Sequence, residues 1–403
     1  MNKSRYPILS KKLENKHLIY LDAACTYLRH QDFIDSSWTY YSEYSSCAGD
    51  RESSYLGSLL SQDILSVRTN LKKFIWAEMS DYIVFTASTT DSINTLAQAI
   101  ISNIQTIIVS DLEHNSNYLP WYHIAQKNKK ECKLVPFQDV FDPDALKSIL
   151  QNIEAPFLLS ITHASNILGW IFDVAMVAQI VHDFGGYIFV DDAQYLAHNV
   201  ENVTKNNIDF LAFSAHKLWW PTGIGILYIK NSVSHLITDS IHLGWGTVRK
   251  IQDGIPEYKS LPEFLEWWVQ NFSSILTLWS IVEARLSQDE SALTTYISTL
   301  TQYFYEKFEE FWYEKYMTMI SLPQGSVITI CPKTFHAIDF HQYCNYFLEE
   351  HIIAFRTGSF CADNYVNIYL NGEKNIMRFS FGIYNTKNDI DSLFTAIKQY
   401  LWL

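Results

Sequence analysis

Short apolar runs alternate along the first part of the chain with stretches whose apolar residues recur at helical spacing. The runs are YIVFTAS, TIIVSDL, PFLLSITH, YIFVDDA, IDFLAFSAH and IGILYIK. Helical spacing follows from about Asp91, from Asn117 to Gln126, and from Val174 to Phe184. Unbroken apolar strands are buried on both faces, and strands alternating with helices need right-handed crossovers. The pattern therefore predicts an α/β fold with a mostly parallel sheet covered on both sides. From about Ser273 a long helical stretch changes the texture, and SVITIC, IIAFRT and MRFSFGIY then read as strands of a smaller α+β unit. This reading divides the chain into a large domain, residues 21–272, and a small one, residues 1–20 with 273–403.

Composition narrows the function classes. With 403 residues, 48% of them hydrophobic, and little Gly or Pro, the chain can bury a large core and is not disordered. A formal net charge of −13 gives no general attraction for nucleic acid or anionic lipid, so neither is expected as a partner. No apolar run reaches the roughly 18 residues of a membrane span, and the start lacks a signal-like stretch, which points to a soluble cytoplasmic protein. The aromatic share of 15% suits large apolar contacts or an oligomer interface. Six scattered cysteines form neither a metal-ligand pattern nor a disulfide framework, and no metal is expected.

Candidate chemistry collects at strand ends, where ligands of parallel sheets bind. Asp191 closes one apolar run and is followed by Asp192-Ala193-Gln194; Lys217 follows Ser214-Ala215-His216 and precedes Gly223-Ile224-Gly225. A pyridoxal phosphate (PLP) enzyme needs a lysine amine to hold the cofactor and a carboxylate against its pyridinium nitrogen. Lys217 and Asp191 fit, although either alone also reads as a surface lysine or a strand-end acid. The hydroxyl-rich junction Thr86-Ala87-Ser88-Thr89-Thr90-Asp91 suits a phosphate at a helix start, and equally an ordinary N-cap. Ser214 and His216 could complete a phosphate cup, or His216 could be a hydrogen-bonded buried histidine. Arg378 offers a guanidinium fork for a carboxylate, or a surface ion pair. His114 could stack on a ring or be solvated, and Asn166 and Gln194 could donate to a cofactor or cap local backbone.

Eight motifs in order, YLDAACT, FTASTTDSIN, EHNSNYLPW, THASNILG, FVDDAQYLAH, FSAHKLWWPTGIGILY, FRTGSFCAD and MRFSFGIYNTKNDID, resemble the class V aminotransferase superfamily of fold-type I PLP enzymes. The resemblance is closest to its cysteine desulfurase and selenocysteine lyase branch. It implies a seven-stranded-type sheet in the PLP-binding large domain and a homodimer. Position by position it implies Lys217 as the cofactor-bearing lysine, Asp191 on the pyridine nitrogen and His114 stacked on the ring. Asn166 and Gln194 would lie near the phenolic oxygen, and Thr89, Thr90, Ser214 and His216 around the phosphate. Arg378 would hold the substrate carboxylate, and Cys361 would accept the sulfur from a loop of the compact type. The implied activity is cleavage of the C–S or C–Se bond of a cysteine-like amino acid, with release of alanine and transfer of sulfur to a possible protein acceptor.

The chain departs from that pattern in several places. Leu265-Glu266-Trp267-Trp268-Val269 stands where a Gly-Thr pair usually lends a phosphate contact across the dimer. Asp191-Asp192-Ala193-Gln194 replaces Asp-Gly-Ala-Gln, Gly49-Asp50-Arg51 replaces His-Arg-Gly, and Ser359-Phe360-Cys361 replaces His-His-Cys. Another class V outcome, such as a β-lyase, transaminase or epimerase, and an inactive PLP-binding scaffold therefore stand beside the desulfurase. Arg356, close before Cys361, could favour its thiolate, and Cys361 could alternatively be a free loop thiol.

Overall fold

The apolar runs lie side by side in one sheet of the computed structural model, which describes residues 3–48, 54–219, 222–266, 269–286, 290–310 and 313–401. Its seven strands are β1 (Tyr82–Thr86), β2 (Thr106–Ser110), β3 (Glu131–Val135), β4 (Phe157–Thr162), β5 (Tyr187–Asp191), β6 (Phe210–Ser214) and β7 (Gly225–Ile229), in the spatial order β1-β7-β6-β5-β4-β2-β3. From β6 across to β3 every pairing is parallel, while β7 runs antiparallel to both β1 and β6. Every residue of β2, β4, β6 and β7 is buried, as continuous apolar runs require when helices cover both faces.

Four helices pack against this sheet. In α1 (Tyr55–Phe74), Leu60, Ile64, Val67, Leu71 and Phe74 form one buried stripe, and Ser54 caps its start by accepting from the Gly57 amide. Helix α2 (Thr89–Ile100) follows β1, α3 (Asn115–Lys127) follows β2, and α4 (Val174–Asp183) leads into β5.

Two small sheets are built from the chain's start and its last third. Met317–Met319, Val327–Pro332, Met377–Ser380 and Arg356–Thr357 form a four-stranded antiparallel sheet. Lys16–Tyr20 pairs parallel with His351–Ala354, so the chain's start lies against its last third. The run IIAFRT, read as one strand, breaks at buried Phe355 and serves both sheets. The long helical stretch comprises α5 (Phe272–Leu286) and α6 (Glu290–Glu310). Two sequence departures, Gly49-Asp50-Arg51 and Trp267-Trp268, lie outside the described residues.

Candidate active site

Loops leaving the carboxyl ends of β1, β2, β4, β5 and β6 meet the small unit around a cavity of about 450 Å³. Thr89, Thr90, His114, Asn166, Asp191, Gln194, Ser214, His216, Lys217, Cys361 and Arg378 all face it, so every candidate residue reaches one space. The volume lies in the range of cofactor pockets.

Lys217 ends the short turn Ala215–Lys217 that follows β6. Burial lowers its ammonium pKa; the Asp191 carboxylate acts against that and the Arg378 guanidinium adds to it. Asp191, the last residue of β5, is buried and accepts a hydrogen bond at Oδ1 from the Ala193 amide at 3.0 Å. Burial raises its pKa, and the Lys217 charge and that hydrogen bond act against the rise. A buried acid opposite a buried amine is the donor set that a protonated pyridine ring and an aldehyde require, so these residues fit PLP.

The anion end lies at the start of α2. The Thr89 amide and hydroxyl both meet Ser214 Oγ, at 2.7 and 2.6 Å, and Thr90 Oγ1 donates to Ser116 Oγ at 2.8 Å. Ser88 is the N-cap, accepting from the Asp91 amide, so capping falls to Ser88 while Thr89, Thr90 and Ser214 line the cavity. His216 Nδ1 lies 3.2 Å from Thr26 Oγ1; burial and then Lys217 and Arg29 lower its pKa to about 4. Gly225 lets β7 approach this junction, because a Cβ there would sit 2.4 Å from the Ser88 carbonyl carbon.

His114 caps α3, its Nδ1 accepting from the Ser116 amide at 3.1 Å. Burial, Lys217 and Arg378 lower its pKa to about 3, so the ring is neutral and free to stack on an aromatic ligand. Asn166 donates to the Phe360 carbonyl at 2.8 Å, and Gln194 to the Ala24 carbonyl at 2.9 Å.

Arg378 is not a surface residue. It is 4% exposed; its Nη1 donates to the Asn166 carbonyl at 3.2 Å, its Nη2 to Asp22 Oδ1 at 3.2 Å, and its buried Nε has no hydrogen-bond partner. The guanidinium lies 5.0 Å from the centre of the Phe360 ring. Phe360, standing where the family pattern has histidine, is buried among Leu112, Ile167 and Tyr365 and anchors the loop. The next residue, Cys361, is exposed, and Phe360 and Cys361 both hold left-handed backbone at φ 53° and 57° after Gly358 at 99°. The Asn115 amide donates to the Cys361 carbonyl at 2.6 Å, and Asn115 Nδ2 to Asp363 at 2.6 Å, tying the loop to α3.

Arg356 does not pair with Cys361 as its sequence position suggested. Its Nη2 donates to Asp22 Oδ2 at 2.9 Å and to Cys25 Sγ at 2.6 Å. Cys25, Asp22 and Glu113 all stand in quoted motifs, but sequence reasoning gave them no role. Buried Glu113 accepts from Ser110, Asn117 and the Thr162 amide beneath the site. Asp192, in place of glycine, is fully buried, with both oxygens lacking a hydrogen-bond partner; Oδ1 lies 3.3 Å from His163 Nδ1, which is itself 2.7 Å from Glu201. The His163 ring stacks on Tyr195 at 3.5 Å.

Residues 19–393 match the sequence profile described as aminotransferase class-V. A probable cysteine desulfurase of Borreliella burgdorferi is 32% identical over 98% of this chain and 94% of its own length. One from Vibrio cholerae is 27% identical over 98% and 97%. The crystal structure of the cysteine desulfurase CsdA from Escherichia coli superposes with a TM-score of 0.84 at 26% identity, covering all of this chain and 98% of that one. The apo cysteine desulfurase from Thermococcus onnurineus, at 24% identity and a TM-score of 0.86, shares the fold.

Proposed function

Because the chain belongs to the class V aminotransferase family, we propose from its site that it is a PLP-dependent cysteine desulfurase acting on a cysteine-like amino acid. The observation that carries the reading is the convergence of Lys217, Asp191, Arg378 and Cys361 on one cavity. Bound PLP supplies an electron sink for negative charge at the substrate α-carbon. Asp191 would hold the ring nitrogen protonated, His114 would cover the ring, and Asn166 and Gln194 would sit near its phenolic oxygen. Thr89, Thr90, Ser214 and His216 would hold the phosphate. Lys217 would carry the cofactor and, once displaced by the substrate amine, move the proton at the α-carbon. Arg378 would grip the substrate carboxylate, exchanging contacts it now makes with Asp22 and Asn166. Cys361 as thiolate would attack the substrate sulfur, leaving a persulfide on Cys361 and alanine as the product.

The same reading takes the protein as a cytoplasmic homodimer that passes sulfur to a protein acceptor. No helix among the described residues is long and apolar enough to cross a membrane, and all six cysteines are free thiols, which suits a reducing compartment. Incubation with L-cysteine and a reductant tests the activity. Sulfide and alanine in equal amounts are expected; pyruvate with ammonia would instead identify a lyase, and bound cofactor without turnover a scaffold.

A further inference from the structure

We propose that Cys25 is a second sulfur-carrying thiol of this cavity and takes the sulfur from Cys361; the inference rests on the desulfurase reading. Of the six free cysteines only Cys25 and Cys361 face the cavity. Cys25 follows a buried stretch pinned to the small unit: the Ser380 amide donates to the Leu21 carbonyl at 2.8 Å, and the Ala24 amide to Ser380 Oγ at 2.9 Å. Its sulfur accepts a hydrogen bond from Arg356 Nη2, and the same guanidinium is fixed on Asp22 through Nε and Nη2 at 3.2 and 2.9 Å.

Arg356 belongs to the strand Arg356–Thr357, from which the loop bearing Cys361 departs. One short segment therefore grips the first thiol and presents the second. Asp22 links them from the other side, holding Arg356 with Oδ2 and Arg378 with Oδ1, and Arg378 lies over the Phe360 ring next to Cys361. Both cysteines line the same cavity as Lys217.

The step is a persulfide exchange. The Cys25 sulfur attacks the outer sulfur of the Cys361 persulfide, a new S–S bond forms on Cys25, and the bond between that sulfur and Cys361 Sγ breaks. The electron pair leaves with Cys361 Sγ, which takes up the proton lost by Cys25. One persulfide and one thiol become one thiol and one persulfide, so no oxidant or reductant is consumed. Cys361 is then free for another substrate while the sulfur waits on Cys25 for an external thiol.

Two measurements test this. The protein is incubated with excess L-cysteine without reductant, alkylated with iodoacetamide, digested and mapped by mass spectrometry. An extra sulfur is expected on both Cys25 and Cys361 in the parent, on Cys361 alone in Cys25→Ser, and on neither in Cys361→Ser. The sulfur load thus falls from two atoms per chain to one when Cys25 is replaced by serine, which keeps an acceptor for Arg356. Extra sulfur confined to Cys361 in the parent overturns the exchange and leaves the desulfurase reading standing; none on any cysteine overturns both. Dibromobimane, which becomes fluorescent on bridging two neighbouring thiols, probes proximity without substrate. The parent should fluoresce and each single variant should not; a dark parent overturns the proposal independently of turnover.

Discussion

Lys217 stands where opposing fields meet: burial and Arg378 lower its ammonium pKa while Asp191 supports the charge. The lowered value favours the free amine, the form that reacts with an aldehyde and accepts a proton. Lys217→Ala should therefore purify without the yellow covalently held cofactor, and borohydride reduction of the parent followed by peptide mapping should place the adduct on Lys217; an adduct on another lysine refutes the assignment. Cys361→Ser should keep the colour and still bind L-cysteine, yet release sulfide at least roughly a hundredfold more slowly, since only the nucleophile is lost. Sulfide and alanine at the parent rate would eliminate Cys361 from the mechanism. Asp192 and His163 predict a pH effect on stability. Burial and then the Glu201 charge raise the Asp192 pKa; at His163 burial acts downward, but Asp192 and Glu201 overcome it and raise the imidazole pKa. The buried cluster of Asp192, Glu201 and His163 thus keeps a proton in the folded chain that the unfolded chain sheds. Where the native state binds more protons, stability falls as pH rises. The parent should lose stability from pH 6.5 to 9 in guanidinium unfolding, and Asp192→Asn should lose less by on the order of 1–3 kcal/mol. Equal slopes in the two proteins would contradict this.

Between elements, the junction of β1, β7 and α2 carries the anion end of the site. A methyl group at Gly225 would meet the Ser88 carbonyl carbon at 2.4 Å and its oxygen at 2.6 Å, both backbone atoms with no rotamer to escape into. Gly225→Ala should cost about 1–3 kcal/mol of stability. By shifting the start of α2 it should also weaken PLP retention, measured by reconstitution of the apoprotein; unchanged retention would show that the helix start does not hold the phosphate. The strands around this junction were legible because burial on both faces leaves unbroken apolar runs. Edge strand β3 was not: Glu131 and Leu134 are exposed and only Val135 is buried, so its sequence ECKLV carries no such run. Helix α1 was missed although its buried residues keep helical spacing, because polar residues fill the intervals between them. IIAFRT reads as one strand because a local pattern cannot reveal a change of sheet at Phe355. The residue types that suggest the chemistry could be singled out from sequence and all line the cavity, whereas Cys25 beside them and Glu113 beneath the strands owe their places to tertiary contacts with Arg356 and Thr162.

At the scale of the molecule, the carboxyl end of the large sheet brings Asp191 and, through the turn after β6, Lys217 to the cavity, while the last third of the chain brings Cys361 and Arg378, so the proposed mechanism needs the proposed domains 21–272 and 1–20 with 273–403 to stay docked. Among the large apolar side chains left exposed are Trp38 and Tyr41, whose rings lie 6.1 Å apart, and Tyr55, Leu56 and Leu65 of α1. In the proposed homodimer, exposed apolar side chains of this kind would be covered by a second copy of the chain. Each copy carries a formal net charge of −13, so the two repel at long range while their apolar surfaces attract at contact. Added salt screens the first effect and leaves the second, and the dimer should therefore tighten as ionic strength rises from about 0.01 to 0.15 M. Light scattering across a dilution series should report a dimer whose dissociation constant falls with salt. Leu65→Glu should shift it toward monomer, because Leu65 is 64% exposed in the single chain and its replacement would be buried as a charge at the interface. A monomer with full desulfurase activity at every concentration and salt would remove the dimer from the account while leaving the cavity and its chemistry intact.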